Sequence, residues 1–156
     1  MNSLAPLIVK KLKKKKFTVA TAESITGGGL ASAITEVPGS SEVFLGGVVS
    51  YSDKSKSKYL GISTSTLKKE TAVSEKVAVA MAEAIRSEFK SDFGIATTGV
   101  AGPGKAYGQK AGTVWIAIAS KKESISVALS LSGDREAVRN ATIMSALATF
   151  ARILSL

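Results

Sequence analysis

Apolar residues recur every four positions through Val77, Met81, Ile85 and Phe89, with Ala78, Ala82 and Ala84 beside them. That spacing marks the buried stripe of a helix over residues 75–90, and Ser74 stands where its N-cap belongs. Leu4, Leu7, Ile8 and Leu12 suggest a second stripe, on a helix beginning near Pro6, a residue suited to a first helical turn. A third amphipathic helix is expected from an Asp134 cap to about Leu154. Short apolar runs at 17–21, 46–51 and 93–98 read as buried strands, and 113–120 with 125–131 reads as a hairpin turning at Lys121-Lys122-Glu123. Between these, Thr26 is a candidate cap for a helix over 27–34, and Gly61 closes a short helix over Asp53–Leu60. A further turn or short helix fits 63–70.

Helices and strands therefore interleave, with a run of three strands near the end. The pattern predicts one α/β domain over residues 1–156, a three-layer α/β/α sandwich around a mixed, mostly parallel sheet with one antiparallel hairpin strand. Sheets of this kind place ligands beyond the carboxyl ends of their strands. Here those positions are residues 22–29, 51–56 and 98–104.

Composition narrows the chemistry. The 156 residues include neither cysteine nor histidine, which excludes disulfides, thiol nucleophiles, imidazole bases, Ser-His-Asp triads and zinc sites built from the usual His or Cys ligands. The 21 basic and 12 acidic residues give a net charge of +9, at first the balance of a nucleic-acid binder. Six of those charges are Lys10, Lys11 and Lys13 to Lys16, in a segment without acids, and removing them leaves only +3 on the other 140 residues. The lysines also suit the negative end of the first helix dipole, so nucleic acid is not the expected partner. No apolar stretch approaches the roughly 20 residues that span a bilayer, and the short apolar run precedes the lysines, the reverse of a secretory signal. A cytoplasmic protein without membrane association is the expectation.

Two loops combine small hydroxyl residues with glycine: Ser24 to Gly29, and Thr97 to Gly104. Glycine admits a ligand close to the backbone, and free N–H groups at a helix start suit phosphate or a developing oxyanion, although ordinary turns use the same residues. Tyr51 and Lys56 place a phenol and an amine beyond a strand end. A lysine made less basic by burial can deprotonate a serine, whereas an alternating Lys/Ser helix can equally be a solvated surface. Arg135 and Arg139, four apart on one helical face, can clamp an anion or pair with Glu136 and surface acids.

Thr21-Ala22-Glu23-Ser24-Ile25-Thr26-Gly27-Gly28 resembles the T-A-E-S-C-T-G-G signature of the CinA C-terminal domain family, whose members include stand-alone nicotinamide-nucleotide amidohydrolases. Further matching segments are Val37 to Ser41, Gly46 to Ser52, Ala72 to Glu75, Thr98 to Pro103, Gly112 to Trp115 and Gly133 to Arg135. Together they span about residues 17–140 in the family's order. Ile25 stands in place of the signature's cysteine, and Lys105 where another glycine is common. The resemblance implies an α/β/α sandwich that hydrolyses nicotinamide mononucleotide to nicotinate mononucleotide and ammonia, with no metal or organic cofactor. By similarity, Ser41 is the nucleophile, Lys56 its general base, and Tyr51 an aid to proton transfer or orientation. Ser24, Thr98 and one of Arg135 and Arg139 hold the substrate. Amides of the glycine loops around Thr26, Gly27, Gly28 and Gly99 bind phosphate or the oxyanion. The expected partners are a small nucleotide and further copies of the chain, with the alanine-rich helix 75–90 as the surface between subunits. The competing expectation is a non-catalytic protein that binds nucleotides or partners, linked to competence or DNA damage.

Overall fold

The computed structural model describes residues 4–156. Helix α1 (Leu4–Lys15) leads into strand β1 (Val19–Glu23), followed by α2 (Gly29–Thr35), a 3-10 turn (Ser40–Glu42) and β2 (Phe44–Val49). Three helices come next: α3 (Asp53–Leu60), α4 (Thr64–Glu70) and α5 (Glu75–Phe89). Strands β3 (Phe93–Gly99), β4 (Thr113–Ala119) and β5 (Ser124–Ser130) precede the long helix α6 (Arg135–Ile153). The strands form one five-stranded sheet in the order β2-β1-β3-β4-β5. β1 pairs in parallel with β2 and β3, while β4 runs antiparallel to both β3 and β5. Four strands thus share one direction and β4 alone opposes them, the three-layer mixed sandwich expected from the interleaved pattern.

Two apolar cores flank the sheet. On one face, Ile8 and Leu12 of α1, Leu30 and Ile34 of α2, and Leu147 and Phe150 of α6 pack against Val19, Ile95 and Ile116. On the other, Val77, Met81 and Ile85 of α5 join Leu60 and Leu67 of the short helices over Ala20, Ala96 and Ala117. The small strand residues on this second face let α5 lie close. A Cβ at Gly94 would collide with the Ala82 carbonyl and lie 2.8 Å from the Arg86 Cβ. The Ala78 and Ala82 positions of α5 are consequently covered by the protein's own sheet, while Ala80 and Ala84 are partly buried.

Three local differences from expectation have physical causes. The inner stripe of α1 is Ala5, Ile8, Val9 and Leu12, and Leu7 is 49% exposed. Positions 5, 8, 9 and 12 form the i, i+3, i+4, i+7 set, which leaves Leu7 off the stripe. Phe17 caps α1 instead of opening β1: Lys16 takes a left-handed φ of 56°, the Phe17 N–H donates to the Leu12 carbonyl, and the ring meets Phe93 edge-on. Helix α2 starts at Gly29 with Gly28 as N-cap, so Thr26 is not its cap.

Candidate active site

The parallel strands β1, β2 and β3 end side by side, Glu23 lying between Val49 and Thr97. Beyond these ends opens a cavity of about 320 Å³ whose wall includes Ser24, Tyr51, Thr98, Gly99 and Arg135. Five residues singled out in the sequence therefore converge where an α/β sheet places its ligands.

Lys56 lies directly behind Ser24. It occupies the inner face of α3, one turn before the buried Leu60, and is 1% exposed. The helix is held at its start by a capping box between Ser52 and Ser55. The Lys56 Nζ donates to Ser24 Oγ at 3.0 Å and to the Ser50 carbonyl at 2.8 Å. No carboxylate forms an ion pair with it among the described residues. Burial pushes the amine below its ordinary value of 10.5, with Asp53 on the first turn of α3 opposing that shift. The result is a lysine less basic than usual, in contact with a serine that lines the cavity.

Ser41 does not take part. It lies in the 3-10 turn preceding β2, exposed to solvent, while Lys56 follows the other end of that strand. The six residues of β2 extend about 20 Å at the rise of a strand, so the expected Ser41–Lys56 pair cannot form. The serine that meets Lys56 is Ser24. Tyr51 is likewise not bonded to the dyad: its hydroxyl accepts from Arg135 Nη2 at 2.7 Å.

Glu23, to which the sequence pattern assigns no role, organises the turn that carries Ser24. It is 1% exposed. Its Oε2 accepts from Thr26 Oγ1 at 2.6 Å and from the Gly28 and Leu30 N–H groups at 3.1 and 2.9 Å; its Oε1 accepts from the Ala31 N–H at 2.8 Å. The carboxylate thus caps α2 from the preceding strand, where the positive end of the helix dipole favours it. The available signal was the spacing: an acid six residues before the first residue of a helix whose N-cap is glycine and which has no local capping side chain.

This arrangement also redefines the glycine loop. Thr26 is fully buried, its hydroxyl bonded to Glu23 and lying 2.7 Å from Thr97 Oγ1. It therefore cannot touch a ligand in the cavity. The Gly27 N–H donates to the Ser24 carbonyl and the Gly28 N–H to Glu23, so neither amide is available for phosphate. Along residues 24–31, only the Ile25 and Thr26 N–H groups make no hydrogen bond among the described residues.

The two arginines divide their work. Arg139 donates from Nε to the Ile25 carbonyl and from Nη2 to the Thr26 carbonyl, at 3.2 and 3.1 Å, clamping the Ser24 turn from α6. Arg135, one turn earlier, lines the cavity and donates to the Gly102 carbonyl and to Tyr51 Oη. Thr98 lines the cavity too, with its hydroxyl committed to the Ala72 carbonyl at 2.6 Å.

The CinA C-terminal domain family matches residues 1–154. The chain belongs to that family. A CinA-like protein of Frankia casuarinae is 40% identical over 154 residues, which cover 99% of this chain and 36% of that protein. A Thermoanaerobacter protein named for competence-damage inducibility is 45% identical, over 98% of this chain and 37% of its own length. The chain thus spans about a third of the curated relatives it matches. Among solved structures, a CinA superfamily protein from Klebsiella pneumoniae superposes with a TM-score of 0.95 at 32% identity, covering 99% of this chain and 97% of that one. The Escherichia coli CinA superfamily protein gives 0.94 at 34%, covering 99% and 90%. Among the described residues, no helix is long and apolar enough to cross a membrane.

Proposed function

We propose that this CinA-family domain is an amidohydrolase that converts nicotinamide mononucleotide to nicotinate mononucleotide and ammonia, with Ser24 as nucleophile and Lys56 as general base. The observation that carries the reading is the 3.0 Å contact between a buried lysine and a serine facing a cavity. The substrate assignment follows the resemblance of the motifs around it.

Neutral Lys56 accepts the Ser24 proton as Oγ attacks the carboxamide carbon. The resulting oxyanion lies beside the turn that follows the nucleophile, where the N–H of Ile25, a residue of the cavity wall, is an unspent donor. Collapse of the tetrahedral adduct breaks the carbon–nitrogen bond. The proton held by Lys56 passes to the departing nitrogen, releasing ammonia and leaving an acyl ester on Ser24. Water, deprotonated by the same amine, then attacks the ester, and the proton returns to Ser24 as the carboxylate product forms. Arg139 keeps the Ser24 turn in place, and Arg135 offers its charge to the nucleotide phosphate.

Ammonia release from nicotinamide mononucleotide tests the reading. Wild-type protein is expected to turn over, and Ser24→Ala is expected to lose at least about 10³-fold in rate. Equal rates for the two proteins would refute the assignment of Ser24.

A further inference from the structure

We propose that Lys105 joins Arg135 in a phosphate-binding subsite in the cavity wall, so that Lys105 selects a nucleoside monophosphate over the unphosphorylated nucleoside. The inference rests on the amidohydrolase reading and adds a specificity-determining residue to it.

The cavity wall contains two cations, Lys105 and Arg135, and no Asp or Glu. Neither charge is neutralised. Arg135 donates only to neutral oxygens, those of Gly102 and Tyr51, and Lys105 makes no hydrogen bond or ion pair among the described residues. The carboxylate of Asp53 lies outside this wall, against Tyr107 Oη at 3.5 Å. An open cleft with two uncompensated positive charges attracts an anion of two negative charges, and a phosphate monoester carries that charge near neutral pH.

The loop bearing Lys105 is built as a presenting arm. Ala106 and Gln109 exchange both backbone hydrogen bonds, at 3.0 and 2.9 Å, around Tyr107 and Gly108, whose φ angles are 52° and 70°. Two successive positive φ values within a two-residue hairpin define a type I′ turn. The arm is fixed on one side by Gln109 Nε2, which donates to the Val73 carbonyl at 2.6 Å, and on the other by the Tyr107–Asp53 contact. Arg135 Nη1 reaches the Gly102 carbonyl at 2.8 Å, at the start of the same loop. Both cations are thereby tied to one loop, and both line the cavity that Ser24 also lines. The volume of about 320 Å³ stands at the small end of ligand cavities, consistent with a mononucleotide.

The test compares nicotinamide mononucleotide with nicotinamide riboside as substrates, and uses inorganic phosphate as a competing ligand. Lys105→Met is expected to raise KM for the nucleotide about tenfold with kcat unchanged. It should weaken inhibition by phosphate to a similar extent and leave riboside kinetics as they are, and Lys105→Arg should restore the wild-type pattern. An unchanged KM for the nucleotide, or an equal rise for both substrates, overturns the subsite while the amidohydrolase reading stands. Should wild-type protein release ammonia from neither compound, calorimetry with inorganic phosphate decides. Binding that weakens in Lys105→Met sustains the subsite although the amidohydrolase reading falls, and no binding to wild type overturns the subsite.

Discussion

The two ends of strand β2 carry the same residue types in opposite circumstances. Before the strand, Ser41 is exposed, and Glu42 accepts a 2.7 Å hydrogen bond from Lys13, with 40% and 61% of the two side chains exposed. After the strand, Lys56 is buried beside Ser24 without an ion-pair partner. The first lysine keeps contact with water and with a carboxylate. Burial makes the second less basic than an ordinary lysine, with Asp53 opposing the shift. Serine and lysine become chemistry only where the fold removes the competing partners, and here it does so at the carboxyl end of the sheet.

Exchanging single atoms at the two ends gives the largest expected contrast. Ser24→Ala should cost at least about 10³-fold in ammonia release, whereas Ser41→Ala should stay within about twofold of wild type, because nothing from the cavity reaches it. Comparable losses in both variants would dissolve the distinction between the ends.

Lys56→Met comes next. The rate should fall by about 10²- to 10⁴-fold, the range for a lost general base. In wild type, kcat/KM should rise with pH along one ionisation whose midpoint lies below 10.5, because burial disfavours the charged amine. The same shift has a stability consequence. Between the lowered folded value and the unfolded value, the unfolded chain binds more protons, so stability increases as pH rises through that window. Urea denaturation of wild type should show this rise, and Lys56→Met should abolish it. A variant as pH-dependent as wild type would show that Lys56 is not the titrating base.

Glu23→Ala tests the scaffold beneath the comparison. It leaves four donors, three of them backbone N–H groups, without their carboxylate. A loss of about 2–3 kcal/mol in unfolding free energy is expected. A denaturation midpoint unchanged from wild type would mean that water or the helix itself satisfies those donors.

Most of the fold was legible because its signals are local. The α5 stripe of Val77, Met81 and Ile85, the Gly61 stop and the Asp134 cap each lie within a few residues of the element they define, and all three are found as expected. Where a boundary moved, a partner outside the element had intervened: Phe17 closes α1 against the distant Phe93, and Glu23, at the end of the preceding strand, replaces Thr26 as the cap of α2. The site followed the same rule. Ser24, Tyr51, Thr98 and Gly99 were recognisable because strand ends can be located from the apolar pattern, and Arg135 because it shares a helical face with Arg139. Which serine meets Lys56 was not, since the contact joins residues 32 apart, across two neighbouring parallel strands. Nor does spacing reveal that Arg139 is spent on the Ser24 turn while Arg135, one turn away, faces the cavity.

The smallest expected effect lies at the solvated end. Lys13→Met removes an ion pair whose 2.7 Å distance is shorter than the Lys56–Ser24 contact of 3.0 Å, so a ranking by distance alone would make it the stronger of the two. Its environment argues otherwise. Both partners remain hydrated when separated, and holding two long side chains in one geometry costs entropy that offsets the Coulomb gain. The change in unfolding free energy should not exceed about 0.5 kcal/mol and should shrink as salt is added. Ammonia release should be unaffected, because Lys13 and Glu42 lie at the end of the sheet away from Ser24. A salt-independent loss of 2 kcal/mol or more, roughly that of a buried charged hydrogen bond, would show that the pair is shielded from water and that the contrast between the two ends is one of partners, not of solvent.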